Sequence, residues 1–282
     1  MTHPIEGLQP KSVLNNKQLC EMFGCSTQGG MRRSLTTNTL VIVSNHVKSI
    51  YDDRWDDDVL HYTGMGTKGD QSIDSAQNKT LAQSETNGVL IHLFEVFVDQ
   101  EYLYRGMVAL CNDPYFERQP DERGMARDVC VFPLRLKSDS APIDREYLSK
   151  AFAKKSKKAK RLTDDEVFDR AKNANTRTGC RTTSSKQYNR NPWVAEHAKR
   201  VAQGICQLCD VPAPFKDKHG EPFLETHHIK WMAKDGKDTI ENTIALCPNC
   251  HRRMHILNDA SDVQLLITKK ALIYSIKPSQ SA

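Results

Sequence analysis

The sequence predicts an α+β protein of more than one domain: a β-rich N-terminal domain, a basic helical connection and a small C-terminal domain organised around cysteines. Three observations predict it. Apolar runs rich in β-branched residues fill residues 1–138, lysine-rich segments with helix-capping signals occupy 139–190, and two Cys-x-x-Cys pairs fall within 191–282. A chain of 282 residues accommodates two domains of roughly 100–150 residues each. With 38% hydrophobic and 27% charged residues the composition is globular, which sets aside disorder and fibrous repeats.

The elements follow in order. Residues 40–43, 59–62, 89–94 and 129–132 read as strands, punctuated by Gly, Asn and Asp, and residues 79–84 read as a short helix among them. Residues 144–161 and 163–174 read as polar helices, the second capped by Thr163 ahead of Asp164, Asp165 and Glu166. Residues 173–191 are poor in apolar side chains and read as a loop. Pro192 then opens a helix running to about residue 203, with Gly204 at its end. No apolar run approaches the roughly 18 residues of a membrane-spanning helix, so no membrane partner is expected. The opening Met-Thr-His-Pro has neither the basic flank nor the apolar core of an export signal, and the expected location is cytoplasmic.

Charge is unevenly placed. The chain carries a net +5, yet residues 150–200 hold 15 Lys and Arg against 5 Asp and Glu. Lys154, Lys155, Lys157 and Lys158 crowd into one short stretch. A block of this kind is either a solvated face or a track for a phosphate backbone, and the run alone fits both.

Nine cysteines, an odd number without an export signal, argue against a disulfide framework. Five are scattered and read as small buried hydrophobes. The remaining four form two knuckles, Cys206/Cys209 and Cys247/Cys250, separated by 37 residues. Two such turns close a four-sulfur site of the structural Zn²⁺ type, and the long separation requires the insert to form structure of its own.

Within that insert, Leu224-Glu225-Thr226-His227-His228-Ile229 reads as a strand whose adjacent histidines point to opposite faces. His251 and His255 stand at i and i+4, on one face of a helix. A strand histidine facing a helical pair offers three nitrogen ligands and leaves coordination positions open, as a catalytic metal needs. The other strand histidine is then free for acid/base work.

The pattern Cys-x-x-Cys, Glu-x-His-His-Ile, Asn-x-x-Ala-Leu-Cys-Pro-Asn-Cys-His-x-x-x-His resembles HNH nucleases of the ββα-metal fold, in the zinc-knuckle subtype of McrA-like restriction enzymes. The resemblance covers about residues 191–260. It implies that His227, His251 and His255 hold a catalytic Mg²⁺ or Mn²⁺, that His228 is the general base, and that Asn242 orients it. Glu225 occupies the position of an acidic residue found in many members.

The N-terminal half carries an aromatic and acidic cluster, Tyr51-Asp52-Asp53-Arg54-Trp55, and then His61-Tyr62-Thr63-Gly64-Met65-Gly66. With Gln77-Asn78-Lys79-Thr80-Leu81 and the closing Phe132-Pro133-Leu134-Arg135-Leu136, it resembles the SRA domain, a PUA-like β-barrel that flips modified cytosine out of the duplex. Leu103-Tyr104-Arg105-Gly106 is similar to the Tyr-Asp-Gly signature of that family, with Arg105 where Asp is usual. The resemblance implies a pocket in which Tyr51 and Tyr62 stack on the base, Asp53 accepts from the cytosine amine and Thr63 lines the wall. The Tyr51-to-Tyr62 spacing leaves Asp52 as the alternative acid. The glycine-rich, basic segment 24–33, with Arg32 and Arg33, is expected to hug DNA phosphates.

Together these features predict an SRA-like sensor (1–138), a basic helical linker (139–190) and an HNH nuclease with structural zinc (191–282). The expected activity is modification-dependent cleavage of double-stranded DNA containing 5-methylcytosine or 5-hydroxymethylcytosine. An HNH endonuclease of the nicking or homing type acting on unmodified DNA is the alternative, and a non-catalytic reader is a third. One HNH site cuts one strand, so a double-strand break implies a homodimer or two independent nicks.

Overall fold

A computed structural model describes residues 4–48, 51–121, 125–138, 142–174 and 179–275. The chain separates into two compact units, Met1–Ser185 and Lys186–Ala282. Among the described residues no helix is long and apolar enough to cross a membrane.

The first unit is built on a mixed sheet. Its strands are β1 (Val13–Leu14), β2 (Met31–Ser34), β3 (Thr39–Asn45), β4 (Arg54–Asp56), β5 (Val59–Thr63), β6 (Leu90–Val98), β7 (Glu101–Leu110), β8 (Tyr115–Pro120) and β9 (Ala126–Leu136). The pairing path runs β2-β3-β6-β7-β9-β5-β4, with β1 added on β7 and β8 on β9. Within this sheet, among the described residues, β3 and β6 pair in parallel and the other neighbouring strands pair antiparallel. The expected SRA-like β domain is a nine-stranded sheet whose path has its ends at β2 and β4 among the described residues.

The sheet is covered on both faces, which explains the continuous apolar runs of its central strands. On one face Leu40 and Ile42 of β3 pack with Ile91, Leu93, Phe132 and Leu134. On the other, Val41 and Val43 meet Leu19 and Phe23 of helix α1 (Asn16–Phe23). Each fully buried side chain of this size contributes roughly 1.5–3 kcal/mol. Asn15 and Gln18 cap α1 reciprocally, and Gly24 ends it at φ +62°, a conformation that favours glycine. The short helix expected at 79–84 is α2 (Ala76–Ala82), which buries Asn78 and Leu81.

The basic segment is tied into this same unit. Ile143–Asp144 (β10) pairs in parallel with Thr183–Ser184 (β11). Between them run α3 (Arg145–Ala159) and α4 (Asp164–Lys172), the latter opened by a Thr163/Glu166 capping box. Ala151 of α3 packs with Phe97, Leu103 and Ile143. Arg181 places both terminal nitrogens on Glu95, at 2.8 and 3.0 Å. Residues 175–178 of the expected 173–191 loop lie outside the described residues.

The second unit contains α5 (Pro192–Ala202), β12 (Glu225–His228), β13 (Thr243–Leu246), α6 (Pro248–Ile256) and α7 (Ala260–Ser275). Asn191 caps α5, and Gln203 ends it in the left-handed region. β12 and β13 form an antiparallel ribbon in which His227 faces Ile244 and His228 faces Thr243 across the ladder. Ala198 and Ala202 of α5, Ile244 and Leu246 of β13 and Met254 of α6 build its core.

Candidate metal centre and candidate nucleic-acid interface

The ribbon and α6 bring three imidazoles to one point. The ligand nitrogens of His227, His251 and His255 all lie within 4.8 Å of one another. Nε2 of His251 and Nε2 of His255 are 3.0 Å apart, closer than two rings on a bare helix face need to be. His227 is 1% exposed, and neither of its ring nitrogens has a hydrogen-bond partner. A buried imidazole with two orphaned nitrogens is costly unless something binds it. Burial, then the neighbouring His255 and His251, push its pKa down to about 3, which keeps it neutral and able to donate a lone pair. The donor set fits a divalent cation with open coordination positions. These rings border a cavity of about 280 Å³ that Arg190 and Trp231 also line.

Two carboxylates support the imidazoles. Glu225, two residues before His227 on β12, places Oε2 2.7 Å from Nδ1 of His251. His251 is thereby oriented with Nε2 toward His255 and His227. The second carboxylate was not anticipated. Nε2 of His228 lies 2.8 Å from Oδ1 of Asp238, in the loop between β12 and β13.

The side-chain hydrogen bonds of Asn242 run to its own loop rather than to His228. Its Oδ1 accepts from the Lys230 N–H at 2.8 Å, and its Nδ2 donates to the carbonyls of Lys230 at 3.0 Å and Lys237 at 2.7 Å. The amide is fully used in closing the 230–242 loop, so it acts on the loop that carries Asp238. Sequence reasoning missed Asp238 because it lies ten residues from its partner and belongs to no spaced motif. Gly236 was the available signal: a Cβ there would collide with the Lys230 carbonyl, which marks a loop folded back tightly on itself.

The four sulfurs of Cys206, Cys209, Cys247 and Cys250 also lie within 4.8 Å of one another. Cys247 is the N-cap of α6, and Gln207 ties the first knuckle to β13 through bonds to both the N–H and the C=O of Ala245. Burial and hydrogen bonds to Cys247 and Cys209 push the Cys250 thiol up. The set can hold a metal ion. Of the scattered cysteines, Cys20 and Cys130 are buried, Cys25 and Cys111 partly so, and Cys180 is exposed.

In the first unit, the sequence-predicted pocket residues also converge. Oδ1 of Asp53 accepts from the Thr63 N–H at 2.9 Å. Burial pushes the Asp53 carboxyl up to about 6, against the pull of the Thr63 N–H and Ser44. Burial, followed by Asp53 and Tyr51, raises the Tyr62 hydroxyl well above its ordinary value. Tyr62 is buried, and its hydroxyl donates to the Gly30 carbonyl at 2.9 Å, an approach that a side chain at position 30 would crowd. Tyr51 is half-buried, with the Arg127 guanidinium 6.0 Å from its ring centre. A further residue, Gln119 of β8, joins the group: it donates to Thr63 Oγ1 at 2.9 Å and accepts from the Asp52 N–H at 3.2 Å. So Asp52 meets Gln119 through its backbone, whereas Asp53 meets Thr63 through its carboxylate.

Arg105, the departure from Tyr-Asp-Gly, has a local explanation. Its Nε stands 3.2 Å from Oε2 of the fully buried Glu95, an ion pair without hydrogen-bond alignment. Glu95 also receives Trp55 Nε1 at 3.0 Å and pairs with His46 at 2.9 Å.

The expected phosphate contacts divide. Arg32 is 4% exposed, and its guanidinium bonds to Asn16 Oδ1 at 2.7 Å and the Gly29 carbonyl at 2.9 Å. It pins β2 to α1 and is withdrawn from the set facing solvent. Arg33 bonds to Asn38 Oδ1, Thr39 O and Ser34 O, closing the β2–β3 turn. Lys154, Lys155, Lys157 and Lys158 are all exposed on the second half of α3.

Two family models match this chain, one within each unit. The sequence model of the ScoMcrA-like SRA domain matches residues 10–153, and that of the HNH endonuclease matches residues 206–256. The type IV methyl-directed restriction enzyme EcoKMcrA of Escherichia coli (strain K12) is 41% identical over 78 residues, 28% of this chain. That match spans 28% of the curated relative's length. Among solved structures, the type IV phosphorothioation-dependent restriction endonuclease ScoMcrA aligns over 95% of this chain and 56% of its own, at 18% identity and a TM-score of 0.40. The modification-dependent TagI restriction endonuclease aligns over 89% and 79% respectively, at 21% identity and a TM-score of 0.39.

Proposed function

The chain belongs to the ScoMcrA-like SRA domain family and carries an HNH endonuclease domain, and from that premise we propose that it is a modification-dependent restriction endonuclease. Its substrate is double-stranded DNA containing 5-methylcytosine or 5-hydroxymethylcytosine, read by a base flipped into the first unit. The observation that carries the reading is the convergence of His227, His251 and His255 beside a fourth imidazole, His228, that takes no part in the cluster. The local identity to a methyl-directed restriction enzyme supports it.

In this reading His227, His251 and His255 hold Mg²⁺ or Mn²⁺, which supplies Lewis-acid stabilisation of the charge that develops on the phosphate. His228 takes the proton of the attacking water. Glu225 fixes His251, and the four cysteines hold a structural Zn²⁺ that anchors α6 to the first knuckle. Tyr51 and Tyr62 sandwich the flipped base, Asp53 accepts from its amine, Thr63 lines the pocket, and the α3 lysines neutralise phosphates. Cutting both strands takes two centres, which a homodimer provides.

Digestion of paired plasmids, one methylated and one not, tests the reading with Mg²⁺, Mn²⁺ and EDTA arms. Preferential cutting of the methylated plasmid, abolished by EDTA and by His228→Ala, is expected. Equal cutting of both would favour the nuclease acting on unmodified DNA, and binding without cutting would favour a reader.

A further inference from the structure

We infer that Asp238 positions His228, holding its imidazole as the Nε2–H tautomer and leaving Nδ1 the nitrogen with a free lone pair. The inference rests on the nuclease reading above, in which His228 receives a proton. Its structural half stands on the loop between β12 and β13.

Both oxygens of Asp238 are engaged. Oδ1 meets His228 Nε2 at 2.8 Å, and Oδ2 accepts from the backbone N–H of Asn191. Asn191 is itself fixed, because its side chain caps α5 by accepting from the Trp193 N–H at 3.0 Å. The carboxylate is therefore clamped between a helix start and the imidazole. Three bonds from Asn242 close the loop that presents it, and Gly236 permits the tight return past Lys230.

The protonation pattern follows from donor and acceptor chemistry. An aspartate ordinarily titrates at about 3.9, and Oδ2 of Asp238 already accepts from the Asn191 N–H, so at neutral pH the carboxyl is ionised. An ionised carboxylate only accepts, and the hydrogen in the 2.8 Å contact must then sit on Nε2. A neutral imidazole with Nε2–H has its lone pair on Nδ1. His228 borders the same cavity as the histidine triad, so that lone pair belongs to a ring beside the metal centre. Without Asp238 the ring is free to exchange tautomers and to rotate, and only a fraction of molecules would present the acceptor.

The experiment uses the full chain labelled with ¹⁵N-histidine, with His228 assigned by comparison with His228→Ala. Long-range ¹H–¹⁵N spectra should show a protonated Nε2 and an unprotonated Nδ1 in the wild type. In Asp238→Ala those signals should shift toward a mixture, and kcat on methylated plasmid should fall about 10- to 100-fold with KM within twofold. Asp238→Asn retains an acceptor oxygen and should recover part of the loss. Metal binding, followed by Mn²⁺ titration, should be unchanged in both variants. A wild-type ring protonated on Nδ1, or an unaltered tautomer in Asp238→Ala, would overturn the inference. Should Asp238→Ala fail to fold, the wild-type spectrum and the Asn variant decide it. A wild type with the expected tautomer that cuts no DNA would instead sink the nuclease reading.

Discussion

Oε2 of Glu225 lies 2.7 Å from Nδ1 of His251, joining the ribbon to the metal-facing helix through one charge-assisted contact. The contact sets which nitrogen of His251 faces His255. Removing it with Glu225→Ala should weaken Mn²⁺ binding by about 10- to 100-fold, because the ring loses its fixed orientation. Glu225→Gln keeps an acceptor and should lose less. Titration calorimetry checks this, and an unchanged affinity in the alanine variant would mean that packing alone orients the ring.

Asp53 predicts an opposition between stability and recognition. Its carboxyl is pushed up to about 6, whereas an unfolded Asp titrates near 3.8. The folded state thus favours the protonated form, and stability present below pH about 3.8 is lost as pH rises through about 6. By linkage the difference amounts to about 3 kcal/mol above that window. Asp53→Asn, which still accepts from Thr63, should therefore raise the melting temperature of the first unit at pH 8 and have little effect near pH 4. The same substitution should reduce the preference for modified DNA, and Asp53→Ala should cost about 10- to 150-fold in affinity. If Asp52→Ala removes the preference and Asp53→Ala does not, the pocket acid is Asp52.

The cysteine set should be indispensable to the second unit. Cys206→Ser or Cys250→Ser should unfold it, since metal binding supplies on the order of 10 kcal/mol to small domains of this kind. Circular dichroism with and without a strong chelator measures the effect. A serine variant that melts like the wild type would refute a structural metal.

The exposed lysines of α3 should add affinity without selectivity. Replacing Lys154, Lys155, Lys157 and Lys158 with Gln should weaken binding to methylated and unmethylated duplex alike. The slope of log K against log salt should flatten by roughly 0.9 for each phosphate that the variant no longer neutralises. Neutralising Arg32 instead should destabilise the first unit, because its guanidinium is bonded to Asn16 and Gly29 inside it.

The sequence by itself determined the features that depend on local spacing. Two Cys-x-x-Cys turns, a helical i,i+4 histidine pair, the Thr163 cap, the helix start at Pro192 and the runs of central strands are written in neighbouring residues, and the structure contains each. Three-dimensional context decided the rest. Which nitrogen of His251 faces the cluster depends on Glu225, twenty-six residues away, and the partner of His228 is Asp238 because Asn242 and Gly236 shape the intervening loop. Arg32 looks like a phosphate ligand by charge alone, yet it is buried because Asn16 and Gly29 offer acceptors in the fold. The basic segment reads as a linker by composition, yet Arg181 reaches the buried Glu95 and joins it to the first unit. Side-chain type and spacing fix what a residue is able to do. Long-range pairing of buried charges and loop closure fix which of its hydrogen-bonding groups remain free to do it.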